Sequence, residues 1–202
     1  MHIGIDFDNT IVSYDEVFHR VALEQGIVPA TIDRTKLAVR NWLRKSGKED
    51  IWTEMQGYVY GTRMADAEAY PGVIEFFRWA RSGGISLSII SHKTKQPFLG
   101  PCYDLHEAAK QWIETVLIDE AGPLVELDSV YFETTKDNKW ARIASTTSTH
   151  FIDDLPEILF AEAFPARVKR ILFDPRHHHG PYGDDAVIVQ SWTEILGYFA
   201  KS

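Results

Sequence analysis

The chain has 202 residues, 45% of them hydrophobic and 25% charged, with a formal net charge of −8. That length suffices for one well-buried domain with a small insert, and the acidic balance argues against a broad nucleic-acid or anionic-membrane footprint, which needs a basic surface. An anionic substrate would have to be met by a bound cation or by a few local Lys and Arg side chains. The single cysteine, Cys102, cannot form an internal disulfide, which points to a reducing compartment. No apolar run approaches the ~20 residues of a membrane span. The N-terminus enters a strand without a basic-then-apolar leader, so the expected compartment is the cytoplasm.

In chain order, the first predicted element is a short apolar strand over His2–Ile5, which runs into Asp6-Phe7-Asp8-Asn9-Thr10. Alternate residues of an extended chain share a side, so Asp6 and Asp8 come together if the chain holds its form or turns in a controlled way past the strand. Two acids in one place repel, and such a pair usually needs a cation or a proton on one member. That suits metal-assisted attack on an anionic substrate, one carboxylate as nucleophile and the other as proton donor. Read alone, the same residues are also common turn formers.

Helical spacing follows over 15–25, with Val17, Phe18, Val21 and Ala22 as the apolar members. A second helix is predicted after Asp33, a plausible N-cap, and a third from Asp50. No strand is read between Ser13 and Tyr70, so residues 13–70 form a helical insert, the expected cap subdomain. Residues 1–12 and 71–202 form the expected α/β core domain.

Pro71 opens a helix with Val73, Phe76, Phe77 and Ala80 inward, stopped by Gly83-Gly84. A strand over 85–90 ends in Ser91-His92-Lys93-Thr94, and an amphipathic helix follows from Leu105 to Leu117. Then come a strand over 129–132, a helix over 136–144, a strand over 149–152 ending in Asp153-Asp154, and a helix over 155–163. A strand over 170–173 ends at Asp174-Pro175, and a last strand spans 186–189 before a capping box at Ser191–Glu194. His177-His178-His179 lies in a predicted loop between Pro175 and Pro181, since three consecutive histidines cannot all face one ion in a regular element. Trp42, Trp79, Trp112, Trp140 and Trp192 fall on helical patterns and are core candidates.

Alternating strands and helices predict an α/β fold, a Rossmann-like parallel sheet covered by helices on both faces, with the small helical cap inserted. Ligands of such sheets bind beyond the carboxyl ends of the strands. Asp6, Asp8, Ser91, Asp153 and Asp154 all fall at those ends, and a lysine opens the helix that follows the strand ending near Phe132. Lys136 and Lys139 both lie in the first turns of that helix. Lys136 is nearer the strand end and better placed to enter the site, and Lys139 fits a solvated face.

The residues Asp6-Phe7-Asp8-Asn9-Thr10, Ser91 after an apolar strand, a lysine opening a helix, and Phe151-Ile152-Asp153-Asp154 resemble the four ordered motifs of the haloacid dehalogenase superfamily. The resemblance covers residues 1–12 and 71–175. It implies Asp6 as nucleophile and Asp8 as general acid and then base, with the backbone carbonyl of Asp8 a further metal ligand. It also implies Ser91 on a phosphoryl oxygen, with Asn9, Thr10 and His92 beside the substrate, and a lysine neutralising the nucleophile. Mg2+ would be held by Asp6, Asp8 and Asp154 with Asp153 in support, oxygen ligands being what magnesium prefers. Members that cleave carbon–halogen bonds lack the second acid, so Asp8 favours phosphate-ester hydrolysis. The implied activity is a Mg2+-dependent phosphomonoester hydrolase acting on a small phosphorylated metabolite. A 5′-nucleotidase-like phosphatase, a phosphotransferase, and a non-catalytic phosphate-binding module are the alternatives.

Overall fold

The structure is a computed structural model that describes residues 1–180 and 182–201. Pro181, one end of the expected histidine loop, and Ser202, the end of the expected core, lie outside the described residues. The chain divides into two compact units, one of residues 1–12, 69–93 and 117 onward, the other of 13–68 and 94–116. Residues 94–116, grouped with the core on sequence grounds, thus belong with the helical unit.

β1 (His2–Ile5) opens the first unit. Two-residue strands β2 (Val12–Ser13) and β3 (Glu68–Ala69) flank the segment holding α1 (Asp15–Glu24), α2 (Lys36–Lys45) and α3 (Glu49–Tyr60). Next are α4 (Val73–Ser82), β4 (Ser86–His92) and α5 (Leu105–Val116). They are followed by a short hairpin of β5 (Ile118–Asp119) and β6 (Gly122–Pro123), then β7 (Val130–Glu133), α6 (Lys136–Ser145) and β8 (His150–Asp153). The chain finishes with a single turn α7 (Pro156–Leu159), β9 (Lys169–Phe173), β10 (Val187–Val189) and α8 (Trp192–Phe199).

Six strands make one parallel sheet in the order β10-β9-β8-β1-β4-β7. The chain leaves β1 towards β4 on one side and leaves β8 towards β9 on the other. The direction therefore switches between β1 and β8, where open α/β sheets form a ligand crevice beyond the strand ends. The register aligns Ile5 with Ile152 and with Ile89, so Asp6, just after β1, lies beside Asp153, the last residue of β8. Neighbouring residues of β9 show the two covered faces. Leu172 packs in a buried cluster with Phe151, Ile143 of α6 and Ile158 of α7, and the ring of Phe173 meets Trp192 of α8. Phe76 of α4 also contacts Trp192, so α4 and α8 share that second face.

Within the helical unit, Tyr14, Phe18, Trp52 and Tyr60 form an aromatic cluster, and the Lys36 ammonium lies 5.5–5.6 Å from three of its rings. Arg63 pairs with Glu24 and Asp66. α5 joins this unit because it packs on α3, and Trp112 donates from Nε1 to the Ala67 carbonyl at 2.8 Å. Among the described residues no helix is long and apolar enough to cross a membrane.

Several local expectations change. The N-cap of α2 is Thr35, whose hydroxyl accepts from the Ala38 amide at 3.0 Å, in place of Asp33. α4 begins at Val73, because Gly72 before it adopts a left-handed φ of 92° that ends the Pro71 turn. The helix expected over 155–163 is one turn, with Leu155 extended before Pro156 as a pre-proline residue prefers. Trp42 is exposed, since α2 buries only Val39 and Leu43. At the last helix Ser191 accepts from the Glu194 amide, while the Glu194 carboxylate reaches the Gln190 amide, one residue before the expected one.

β1 is central and flanked on both edges, and Gly4 is where the packing is tightest. A Cβ there would lie 2.6 Å from Cδ2 of Phe151 and 3.0 Å from Oγ of Ser148. Gly4→Ala is expected to lower the unfolding free energy by about 1–3 kcal/mol through overpacking, read as a lower urea midpoint at unchanged slope. An unshifted midpoint would show that Phe151 has room to turn aside.

Candidate active site

The turn after β1 is built from its own backbone. The Asp6 amide donates to the Ile152 carbonyl at 2.8 Å, which carries the sheet one residue past β1. The chain then closes on itself, with Ile11 and Val12 donating to the Phe7 carbonyl and Asn9 donating to Val12. Asn9 has a φ of 62°, a left-handed conformation that Asn tolerates better than most residues. Trp192 Nε1 donates to the Thr10 carbonyl at 3.0 Å and pins the far side of the turn. Phe7 is fully buried against Phe132.

Three acids gather at the switch point. One carboxylate oxygen from each of Asp6, Asp153 and Asp154 lies within 4.8 Å of the others. Asp6 and Asp153 are buried, and Thr10 Oγ1 donates to Asp154 at 3.4 Å. Between Asp6 and Asp153 sits the ammonium of Lys139, 2.6 Å from an oxygen of each. The other Asp153 oxygen accepts from the Leu155 amide at 2.9 Å.

The lysine is therefore Lys139, and the preference for Lys136 is corrected. The side chain of Lys136 is 45% exposed and its ammonium is 3.8 Å from Glu157 at the surface. Helix phase explains this. Thr135 caps α6 by accepting from the Asn138 amide, which puts Lys136 at the first helical position. Lys139 and Ile143 share the inward stripe at a spacing of four, and both are buried. The Thr135 cap and that apolar partner are signals already in the sequence.

Ser91 lies within β4, which runs two residues beyond its expected end, and it is buried. The pleat turns His92 to the opposite side, where it is exposed, so His92 does not join the acids. Lys93, for which sequence reasoning had no role, turns back inward. Its ammonium lies 2.9 and 3.0 Å from the two oxygens of Asp8. Asp174, at the end of β9, accepts from the amides of His178 and His179 at 2.9 Å each, which holds the backbone of the histidine segment. Although burial acts to raise it, those bonds keep the Asp174 carboxyl below the ordinary range.

Electrostatics follow from this packing. Burial opposes a charge on Lys139, but Asp153 and Asp6 outweigh it and hold the ammonium well above the ordinary lysine range. The Asp153 carboxyl is pushed up to about 7, chiefly by burial, with Lys139 opposing and Asp6 adding to the rise. A carboxyl raised in this way favours the folded state fully below its unfolded value near 3.8 and loses that contribution as pH rises through about 7. Lys139→Met removes the ammonium and leaves two buried acids adjacent. In chelator, that variant should lose about 3–5 kcal/mol at pH 8 and less at pH 5, where a proton can replace the missing cation. Urea unfolding at the two pH values measures the difference, and an equal loss at both would contradict the charged arrangement.

No protein-family model and no curated protein matches the sequence. Solved structures do match along the whole chain. A haloacid dehalogenase-family hydrolase from Deinococcus radiodurans, with bound phosphate and sodium, is 14% identical at a TM-score of 0.61, covering 99% of this chain and 95% of that one. A predicted phosphoglycolate phosphatase from Haemophilus somnus is 17% identical at a TM-score of 0.55, covering 98% and 96%. A β-phosphoglucomutase from a Pyrococcus species is 11% identical at a TM-score of 0.57, covering 100% and 99%. The chain thus has the fold of the haloacid dehalogenase-superfamily hydrolases.

Proposed function

We propose that the protein is a Mg2+-dependent phosphomonoester hydrolase that works through an aspartyl-phosphate on Asp6. The observation that carries this reading is the Asp6 carboxylate held by Lys139 in a cluster of three acids, with a second carboxylate, Asp8, two residues on. An unprotonated oxygen of Asp6 attacks phosphorus and the bond from phosphorus to the ester oxygen breaks. The Asp8 carboxyl gives its proton to that oxygen. Water then attacks the phosphorus of the aspartyl-phosphate and its proton passes to Asp8. Phosphate departs and the Asp6 carboxylate is regenerated, so one hard displacement becomes two easier ones.

Lys139 orients Asp6, and Asp153 holds Lys139 while its other oxygen is tied to the backbone. Ser91 is assigned to a phosphoryl oxygen, and the turn at Asn9 and Thr10 frames the phosphate. The donor set fits a small divalent cation, being hard carboxylate oxygens of three residues within 4.8 Å of one another. Asp6 and Asp154, with the carbonyl of Asp8, are the residues that would hold Mg2+. When bound, Mg2+ supplies positive charge that lets a phosphate approach two carboxylates.

The substrate class is a small phosphorylated metabolite. Bound phosphate in the Deinococcus protein and the phosphoester names of the Haemophilus and Pyrococcus proteins agree with this class.

A panel of alkyl, sugar and nucleoside monophosphates, with para-nitrophenyl phosphate, tests the reading with and without Mg2+. Chelation should abolish phosphate release and Mg2+ restore it. Asp6→Asn should lower kcat by at least about 10³-fold, and full activity in that variant would end the assignment. Asp154→Asn is expected to raise the half-saturating Mg2+ concentration about tenfold or more, and an unchanged Mg2+ dependence would remove Asp154 from the cation site.

A further inference from the structure

Lys93 has features that neither strand formation nor surface solvation requires. Its side chain is 3% exposed, whereas that of Lys95, two residues on, is 66% exposed. Its backbone amide donates to the Glu133 carbonyl at 2.8 Å, which extends the β4–β7 ladder by one residue and fixes where the side chain starts. The ammonium lies 5.7 Å from the centre of the Phe7 ring, which is itself packed edge-on against Phe132. A buried ammonium must be paired, and this one bonds both oxygens of Asp8. The Asp8 side chain itself is 21% exposed.

The geometry points to Lys93 as a positioning residue that fixes the Asp8 carboxyl in the orientation from which it exchanges a proton with the ester oxygen. This rests on the proposed role of Asp8 as acid and base. The two lysines then divide the work, Lys139 on the attacking carboxylate and Lys93 on the proton-carrying one. When Asp8 carries the proton, one oxygen turns its O–H to the ester oxygen while the other still accepts from Lys93. As the bond to phosphorus breaks, the proton passes from Asp8 to the departing oxygen, and Lys93 keeps all three of its own protons. A proton donor matters most when the leaving group is a poor one, so a misdirected Asp8 penalises alkyl esters more than nitrophenyl esters.

The test compares kcat/KM for the best alkyl phosphate of the panel and for para-nitrophenyl phosphate, since this ratio covers the steps through cleavage of the ester bond. In Mg2+, Lys93→Met should lose at least about tenfold more on the alkyl ester than on the nitrophenyl ester, within the range that a general acid contributes. Lys93→Arg, which keeps a cation within reach of Asp8, should recover part of the loss and serves as the second variant where methionine disturbs folding. Asp8→Asn should show the same selectivity. Equal losses on the two esters in the Lys93 variants, with Asp8→Asn still selective, would overturn the positioning role alone. Equal losses in Asp8→Asn as well would overturn the acid role of Asp8, and the role of Lys93 with it.

Discussion

The Lys139 ammonium is what allows two carboxylates to be buried side by side at the ends of the two central strands. Asp6 and Asp153 follow or close β1 and β8, which pair in register through Ile5 and Ile152. Their approach is therefore set by backbone hydrogen bonds, and the chain cannot relieve the repulsion by moving them apart without breaking the sheet. A cation 2.6 Å from each removes most of that repulsion. With both carboxylates ionised the three groups carry one net negative charge, and Asp154 brings a third carboxyl to the same spot. The fold thus gathers acids at one spot, where three carboxylates offer oxygens within 4.8 Å of one another.

This charge arrangement runs against the character of the whole chain. A net charge of −8 repels anions at long range. Two buried lysines, Lys139 and Lys93, are each bonded to a carboxylate near the end of β1. Burial strengthens both pairs, because a charge shielded from water acts more strongly on its neighbours than one at the surface. The arginines of the described residues, by contrast, are mostly spent on ion pairs such as Arg63 with Glu24 and Arg81 with Asp119, which tie segments together.

Likeness to solved structures at 11–17% identity speaks to the sheet order and the helices around it. It does not carry chemistry, since one scaffold hosts many reactions. The functional reading rests instead on particular atoms: a second acid after the first, a buried lysine on the first, and an acidic pair across the central strand pair. Each of these is a position that can be changed singly, which separates the chemistry of the site from the stability of the sheet around it.

Much of this was legible in the order of residues. Strand–helix alternation determined the parallel sheet, because period-two and period-3.6 patterns are local properties of the chain. The acids of the site were legible too, since a polar residue directly after an apolar strand must lie at the strand's carboxyl end. What the linear order left open was orientation around an axis. Lys136 and Lys139 differ only in helix phase, which the Thr135 cap and contact with β8 decide. His92 and Lys93 differ only in pleat, which the extension of β4 against β7 decides. The grouping of 94–116 with the helical insert likewise depends on where α5 finds its apolar partners. Composition and local periodicity established which residues could do chemistry and at which end of the sheet. Only tertiary packing, by burying one ammonium against Asp6 and another against Asp8, decided which lysines were drawn in, because the pairing of a buried charge depends on segments far apart in the chain.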